Sequence, residues 1–210
     1  RTHHSGERGR VQPLLSGMSA APALILACSP RRGGNTDTAA ALLAAALSPP
    51  TGAASAEIRR VADVEPGPCL ACDACAARPG TCVRHDAALP LLKDMASASA
   101  ACLVSPIYFY HLPAQAKALV DRAQAFWHLS PDRKPGGGRR LGVVLLGARP
   151  RGDKLFSGAL LTVRYMAEAL GLTAAEPLLL YGLDGADALR NRPDLGERVT
   201  EYGRALAAAV

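Results

Sequence analysis

The 210 residues are enough for one ordinary domain and too few for two large ones, and a hydrophobic content of 49 % excludes wholesale disorder. No apolar run approaches the roughly 18 residues of a membrane-spanning helix, so no membrane partner is expected. A nucleic-acid partner is not expected either, because the net charge of +6 gathers into no basic run interleaved with aromatics, and two of those charges sit in the first 17 residues.

Arg1 to Gly17 holds His3, His4 and three arginines but no signal-peptide core, and Met18 reads as a start. Residues 1–17 are therefore read as an upstream extension or cloning remnant, and 18–210 as a single domain. Ala23 to Cys28 is a short apolar run stopped by Ser29-Pro30, the pattern of a buried parallel strand. Asn35 or Thr36 is suited to cap the alanine- and leucine-rich helix over Thr38 to Leu47, which Pro49-Pro50 ends. A second strand is predicted over Ala56 to Val61, and a loop rich in proline, glycine and cysteine over 66–82. Asp86 is expected to cap a helix running to about Ala98.

Ala101 to Ser105 reads as the next strand, stopped by Pro106, and a helix is predicted from about Pro113 to about Leu129. Leu141 to Leu146 is the clearest strand, followed by a helix over Lys154 to Leu170 that Gly171 ends. Leu178 to Tyr181 is a short strand, and Pro193 to Ala209 the closing helix. Strand and helix alternate about five times, which implies a five-stranded parallel sheet covered on both faces. Sheets of this kind bind ligands at the carboxyl ends of their strands, and the unusual residues fall there, after Cys28, Ser105 and Leu146.

The loop after the first strand reads Ser29-Pro30-Arg31-Arg32-Gly33-Gly34-Asn35-Thr36. With a strand leading in and a helix leading out, its free N–H groups and the helix dipole favour a phosphate. Ser29, Asn35 and Thr36 add hydrogen bonds, Arg31 adds charge, and Gly33 and Gly34 let backbone approach closely. It is neither a Walker loop nor a G-x-G-x-x-G dinucleotide fingerprint, and an ordinary polar turn before a helix is the plainer alternative. The loop after the third strand, Pro106-Ile107-Tyr108-Phe109-Tyr110-His111, sets three aromatics in a row in a chain with only nine. They suit the flank of a flat ring system, or the packing of the top of the domain or of a subunit interface.

Ser-Pro-Arg-x-Gly-Gly-Asn-Thr at 29–36, Pro-Ile-Tyr-Phe at 106–109, Leu112-Pro113-Ala114 with Lys117, and Asp121-Arg122 together resemble the NADPH-dependent FMN reductases of the flavodoxin-like proteins. That resemblance implies a flavodoxin-like three-layer α/β fold with FMN as cofactor. It would place the FMN phosphate on Ser29, Arg31, Gly34, Asn35 and Thr36, the isoalloxazine against Pro106, Ile107, Tyr108 and Phe109, and the ring's other edge against Gly147, Ala148 and Arg149. Lys117 and Asp121 read as a pair on a helix surface, and His111 as a plain hydrogen-bonding residue, with a proton donor near the flavin as the other reading.

Four of the six cysteines, Cys69, Cys72, Cys75 and Cys82, fall within one short stretch, which without a secretory signal points to redox or metal chemistry in the cytoplasm. Three cysteines at that spacing can wrap one corner of a cubane, with Cys82 as fourth ligand once Pro79-Gly80 turns the chain back. A [4Fe-4S] cluster is the first reading; free or disulfide-forming thiols and zinc are the others. The compact motif resembles that of the iron-sulfur flavoproteins, although Ala87 stands where a second acid is expected beside Asp86. Cys28 and Cys102 read as packing residues. The combined expectation is an FMN oxidoreductase fed by NAD(P)H or a ferredoxin-type donor, assembled as a homodimer or homotetramer. The rivals are a cluster-free NAD(P)H-dependent FMN or quinone reductase, and a flavodoxin-like electron carrier or redox sensor without turnover.

Overall fold

A computed structural model describes residues 21–48 and 56–209. Residues 1–17, Met18 and Pro49-Pro50 lie outside the described residues. The strands are β1 (Leu24–Ala27), β2 (Glu57–Arg60), β3 (Ala101–Pro106), β4 (Arg140–Leu146), β5 (Thr173–Ala174) and β6 (Leu178–Leu180), and all pair in parallel in one sheet. Its order is β2-β1-β3-β4-β5, with β6 also on β4. β5 and β6 share the fifth position: Leu141 pairs Ala174, and the register resumes at Val144 with Leu178. The expected fifth strand is thus present but broken, because Pro177 has no N–H to carry the ladder through. This is the α/β flavodoxin-like architecture, five parallel strand positions in the order 2-1-3-4-5 with helices on both faces.

The continuous apolar runs follow from that burial. Along β1, Leu24 and Leu26 face one core while Ile25 and Ala27 face the other, and β4 divides Leu141, Val143 and Leu145 from Val144 and Leu146 in the same way. One face is covered by α1 (Asn35–Leu47) and α8 (Pro193–Ala208). The other is covered by α4 (Ala88–Ser97), α5 (Ala114–Arg122), α6 (Gln124–Trp127) and α7 (Ser157–Leu170). Two single turns, α2 (Val61–Val64) and α3 (Ala74–Ala77), interrupt the stretch between β2 and α4.

Some local expectations shift. α1 begins at Asn35 with Gly34 as its cap and no side-chain capping bond, so neither Asn35 nor Thr36 caps it. The helix expected from Pro113 to Leu129 is two pieces, parted where the Ala123 N–H turns back to the Val120 carbonyl at 2.9 Å, a tighter turn than an α-helix makes. α7 starts at Ser157 rather than Lys154 and ends as expected, with Gly171 in the left-handed region at φ 73°. Asp86 accepts from the Ala88 N–H at 3.1 Å and so serves the start of α4. Among the described residues, no helix is long and apolar enough to cross a membrane.

Candidate functional site

The carboxyl ends of the parallel strands open into a cleft of about 190 Å³. Ser29, Arg31, Gly34, Asn35 and Thr36 line it from the end of β1, Pro106, Ile107 and Tyr108 from β3, and Leu146 and Ala148 from β4. Leu183 to Ala186, after β6, complete the wall. The loop after β1 and the aromatic loop after β3, 70 residues apart in the chain, therefore share one cavity at the switch in strand order.

The first loop is held rigidly from below. Ser29 Oγ accepts the Arg31 N–H at 3.1 Å, which leaves the hydroxyl proton free to donate. Asp37, in the first turn of α1, accepts the Gly33 N–H at 2.6 Å through one oxygen and pairs with Arg60 through the other. Arg60 reaches up from the end of β2 to the Arg31 carbonyl at 3.1 Å as well. Sequence reading missed Arg60, because nothing local marks a β2 arginine as a clamp on a loop almost 30 residues earlier. The first-turn N–H groups of Asn35 and Thr36 have no backbone acceptor among the described residues, as expected at a helix start. Thr36 is almost fully buried, and its hydroxyl has no partner among the described residues.

Asn35 has a different task from the one expected of it. Its Nδ2 donates to the carbonyls of Gly185 at 2.8 Å and Leu183 at 3.3 Å, and its Oδ1 accepts the Leu189 N–H at 2.9 Å. The side chain ties the loop after β6 to the start of α1, and only its backbone N–H is left for a ligand. The Leu183–Ala186 wall was not read from the sequence; Gly182 and Gly185, both at positive φ, were the available sign of a tight loop there.

Other expected residues fall outside the cleft. Tyr108 and His111 exchange two backbone hydrogen bonds of 2.9 Å, closing a two-residue hairpin with Phe109 at φ 47° and Tyr110 at φ 63°. That turn usually takes Asn-Gly, and bulky residues there cost on the order of 1–3 kcal/mol each. Phe109 sits at its tip, fully exposed, and does not line the cleft. Gly147 gives its N–H to the Leu180 carbonyl and its carbonyl to the Leu183 N–H, and a Cβ on it would strike Leu155. It faces the core, and only Ala148 of the third loop reaches the cleft. The Arg149 guanidinium lies 5.5 Å from the Tyr110 ring centroid, a cation–π pair beside the cleft rather than within it. His111 Nε2 lies 2.9 Å from Thr162 Oγ1, and Lys117 pairs with Asp121 at 2.6 Å, so these are structural contacts.

A second, smaller cavity of about 40 Å³ gathers Cys69, Cys72, Cys75 and Cys82, with Arg84 and Arg122 also in its wall. It shares no lining residue with the first. Among the described residues, no group of three or more His, Cys, Asp or Glu closes tightly enough to hold a single metal ion. That counts against zinc, which needs four ligands about one point, and less against a cubane, which spreads its ligands over its corners. Burial and the neighbouring thiols push the Cys75 thiol above the ordinary range. Burial pushes Cys28 and Cys102 far above it, in keeping with packing.

Behind this cavity lies an ion pair that sequence reading did not foresee. The Arg122 guanidinium, 0 % exposed, holds Asp86 through two hydrogen bonds of 2.6 and 3.0 Å. Those bonds hold the Asp86 carboxyl below the usual carboxylate range.

The fold is similar to that of several solved reductases and oxidoreductases. An NAD(P)H:quinone oxidoreductase from Methanothermobacter marburgensis superposes with a TM-score of 0.66 at 16 % identity, over 89 % of this chain and 99 % of that one. An FMN-dependent NADH-azoreductase from Bacillus anthracis str. Ames Ancestor, solved in complex with FMN, gives 0.64 at 16 % identity, over 89 % and 99 %. A flavone reductase gives 0.65 at 14 % identity over 90 % of this chain, which spans only 62 % of that protein's length. No curated protein sequence matches significantly. The family model for NADPH-dependent FMN reductase matches residues 22–172, most of the chain, and the protein belongs to that family.

Proposed function

We propose that the protein is an FMN-dependent reductase that takes electrons from NAD(P)H and passes them to a small acceptor of the flavin, quinone or azo class. The observation that carries this reading is the convergence of the 29–36 loop, residues 106–108, Ala148 and residues 183–186 on one cleft. The donor set suits a phosphate monoester: the Ser29 and Thr36 hydroxyls, the N–H groups of Asn35 and Thr36, and the Arg31 charge. Pro106, Ile107 and Tyr108 offer an apolar wall for a flat ring, and Leu183 to Ala186 close the opposite side. FMN, when bound, supplies both two-electron and one-electron chemistry, and the protein positions it and limits access of water. His111 does not line the cleft, and its Nε2 is engaged by Thr162. Purified protein should carry FMN rather than FAD and should oxidise NAD(P)H in the presence of a quinone or azo dye. Bound flavin without turnover on any such acceptor would favour an electron carrier.

A second reading concerns the cysteines. Four thiols around one cavity support a [4Fe-4S] cluster held by Cys69, Cys72, Cys75 and Cys82, which would admit electrons one at a time from a ferredoxin-type donor. Iron and sulfide analysis of anaerobically prepared protein tests it.

The exposed side chains Phe109, Tyr110, Trp127, Leu161 and Tyr165 support assembly as a homodimer or homotetramer. Light scattering should then give at least twice the chain mass, and a monomer at high concentration with flavin bound would sink that reading.

A further inference from the structure

Arginine carries five N–H donors, and Arg122 has four of them engaged among the described residues. Nη1 donates to the Gly67 carbonyl at 3.1 Å and to Asp86 at 2.6 Å, and Nη2 to Asp86 at 3.0 Å and the Arg84 carbonyl at 3.4 Å. The fifth, Nε–H, is buried and has no acceptor among the described residues. A buried guanidinium N–H left without a partner is costly, and such groups call for an explanation. Here Arg122 lines the cavity of the four cysteines, with Cys82 beside the guanidinium. Asp86 and the Gly67 and Arg84 carbonyls take up the Nη end of the fork, so Nε–H is the donor left over in a residue that lines that cavity.

We propose that Arg122 is the sulfur-facing donor of the cysteine cavity, its Nε–H hydrogen-bonding a sulfur of the centre held by Cys69, Cys72, Cys75 and Cys82. This rests on the reading of those cysteines as cluster ligands. Reduction of such a centre adds one electron, with no bond made or broken and no proton required. The added negative charge is met by a fixed, buried cation and an N–H donor on the inner side of a cavity whose Cys69 and Cys72 are exposed to solvent. Arg122 therefore makes the centre easier to reduce, as hydrogen bonds to cluster sulfurs do in general. Asp86 is its positioning partner and, being an anion, partly offsets its charge.

The test uses the full chain, reconstituted anaerobically with ferrous iron and sulfide, as wild type, Arg122→Lys, Arg122→Gln and Asp86→Asn. Iron and sulfide per chain are measured, with the reduction potential from a dithionite titration followed by electron paramagnetic resonance. Arg122→Lys should keep the charge but lose the Nε–H, lowering the reduction equilibrium constant about tenfold, which is about 59 mV for a one-electron couple. Arg122→Gln should lower it further, about a hundredfold. Asp86→Asn removes an anion and keeps the donor, and should shift the equilibrium the opposite way. Equal potentials in wild type and cluster-loaded Arg122 variants would overturn the proposal, as would Arg122 and Asp86 variants shifting in the same direction, the mark of a merely structural pair. If the Arg122 variants do not fold, Asp86→Asn decides: an easier reduction supports the donor role, and an unchanged or harder one overturns it. Wild type without iron or sulfide overturns the cluster reading itself, which is a different result from equal potentials.

Discussion

The Tyr202 hydroxyl accepts the Val143 N–H and donates to the Glu176 carbonyl, each at 2.9 Å, so a side chain from α8 stands in for the missing rung where β5 gives way to β6. Val143 would otherwise look for its partner where the fifth strand is broken. A buried N–H without an acceptor costs about 1–3 kcal/mol, which sets the expected loss for Tyr202→Phe in urea unfolding. Burial also pushes the Tyr202 hydroxyl up to about 12. The unfolded chain releases this proton near the ordinary phenol value of about 10 while the folded protein keeps it, so the contribution is whole below that value. Stability should decline between roughly pH 10 and pH 12 with a slope that Tyr202→Phe removes. An unchanged alkaline slope in the variant would show that another group is responsible.

Arg31→Ala combined with Thr36→Ala should leave the fold intact and weaken FMN binding. The loss of one charge-assisted and one neutral hydrogen bond is worth about 3 kcal/mol, roughly a hundredfold in Kd. Asn35→Ala should behave differently. It removes three hydrogen bonds to the Leu183–Leu189 loop and should lower stability by about 1–3 kcal/mol even without flavin. Flavin retention and urea midpoints measured side by side separate the two effects; retention of stoichiometric FMN by the double variant would mean the phosphate lies elsewhere.

Asp86 makes the protein sensitive to acid. Its carboxyl is held low chiefly by the hydrogen bonds from Arg122, so its contribution is fully present above the ordinary aspartate value of about 3.9. That contribution is lost as pH falls through the lowered folded value. Asp86→Asn should cost about 3 kcal/mol at neutral pH, because it leaves Arg122 buried and uncompensated, and should flatten the acid limb of the stability profile. Chemical denaturation from neutral pH down to about pH 3 checks both.

If the four cysteines hold an iron-sulfur centre, Cys72→Ala should abolish it while sparing FMN, whose proposed cleft shares no residue with the cysteine cavity. Flavin reduction by a ferredoxin-type donor should collapse, and reduction by NAD(P)H should persist. A wild-type rate with the ferredoxin donor would remove the cysteines from the electron path.

The alternation of apolar runs and helix patterns carried the parallel sheet, and strand-end loops rich in glycine, serine and aromatics marked the cleft at the carboxyl ends of the strands. Both are local signals: burial on two faces leaves strands uniformly apolar, and a helix start exposes its N–H groups whatever packs around it. The cysteine spacing was likewise legible because its members are close in sequence. Only the tertiary structure decided the rest. Asn35 looks like a ligand donor in the loop motif, yet its side chain is taken up by residues roughly 150 positions away. Phe109 belongs to the aromatic run, but a two-residue hairpin lifts it out of the cleft. Arg60 with Asp37, Arg122 with Asp86, and Tyr202 with Val143 join residues 23, 36 and 59 apart. Buried polar groups must find partners, and which partners they find is set by how elements pack, a property no local pattern encodes.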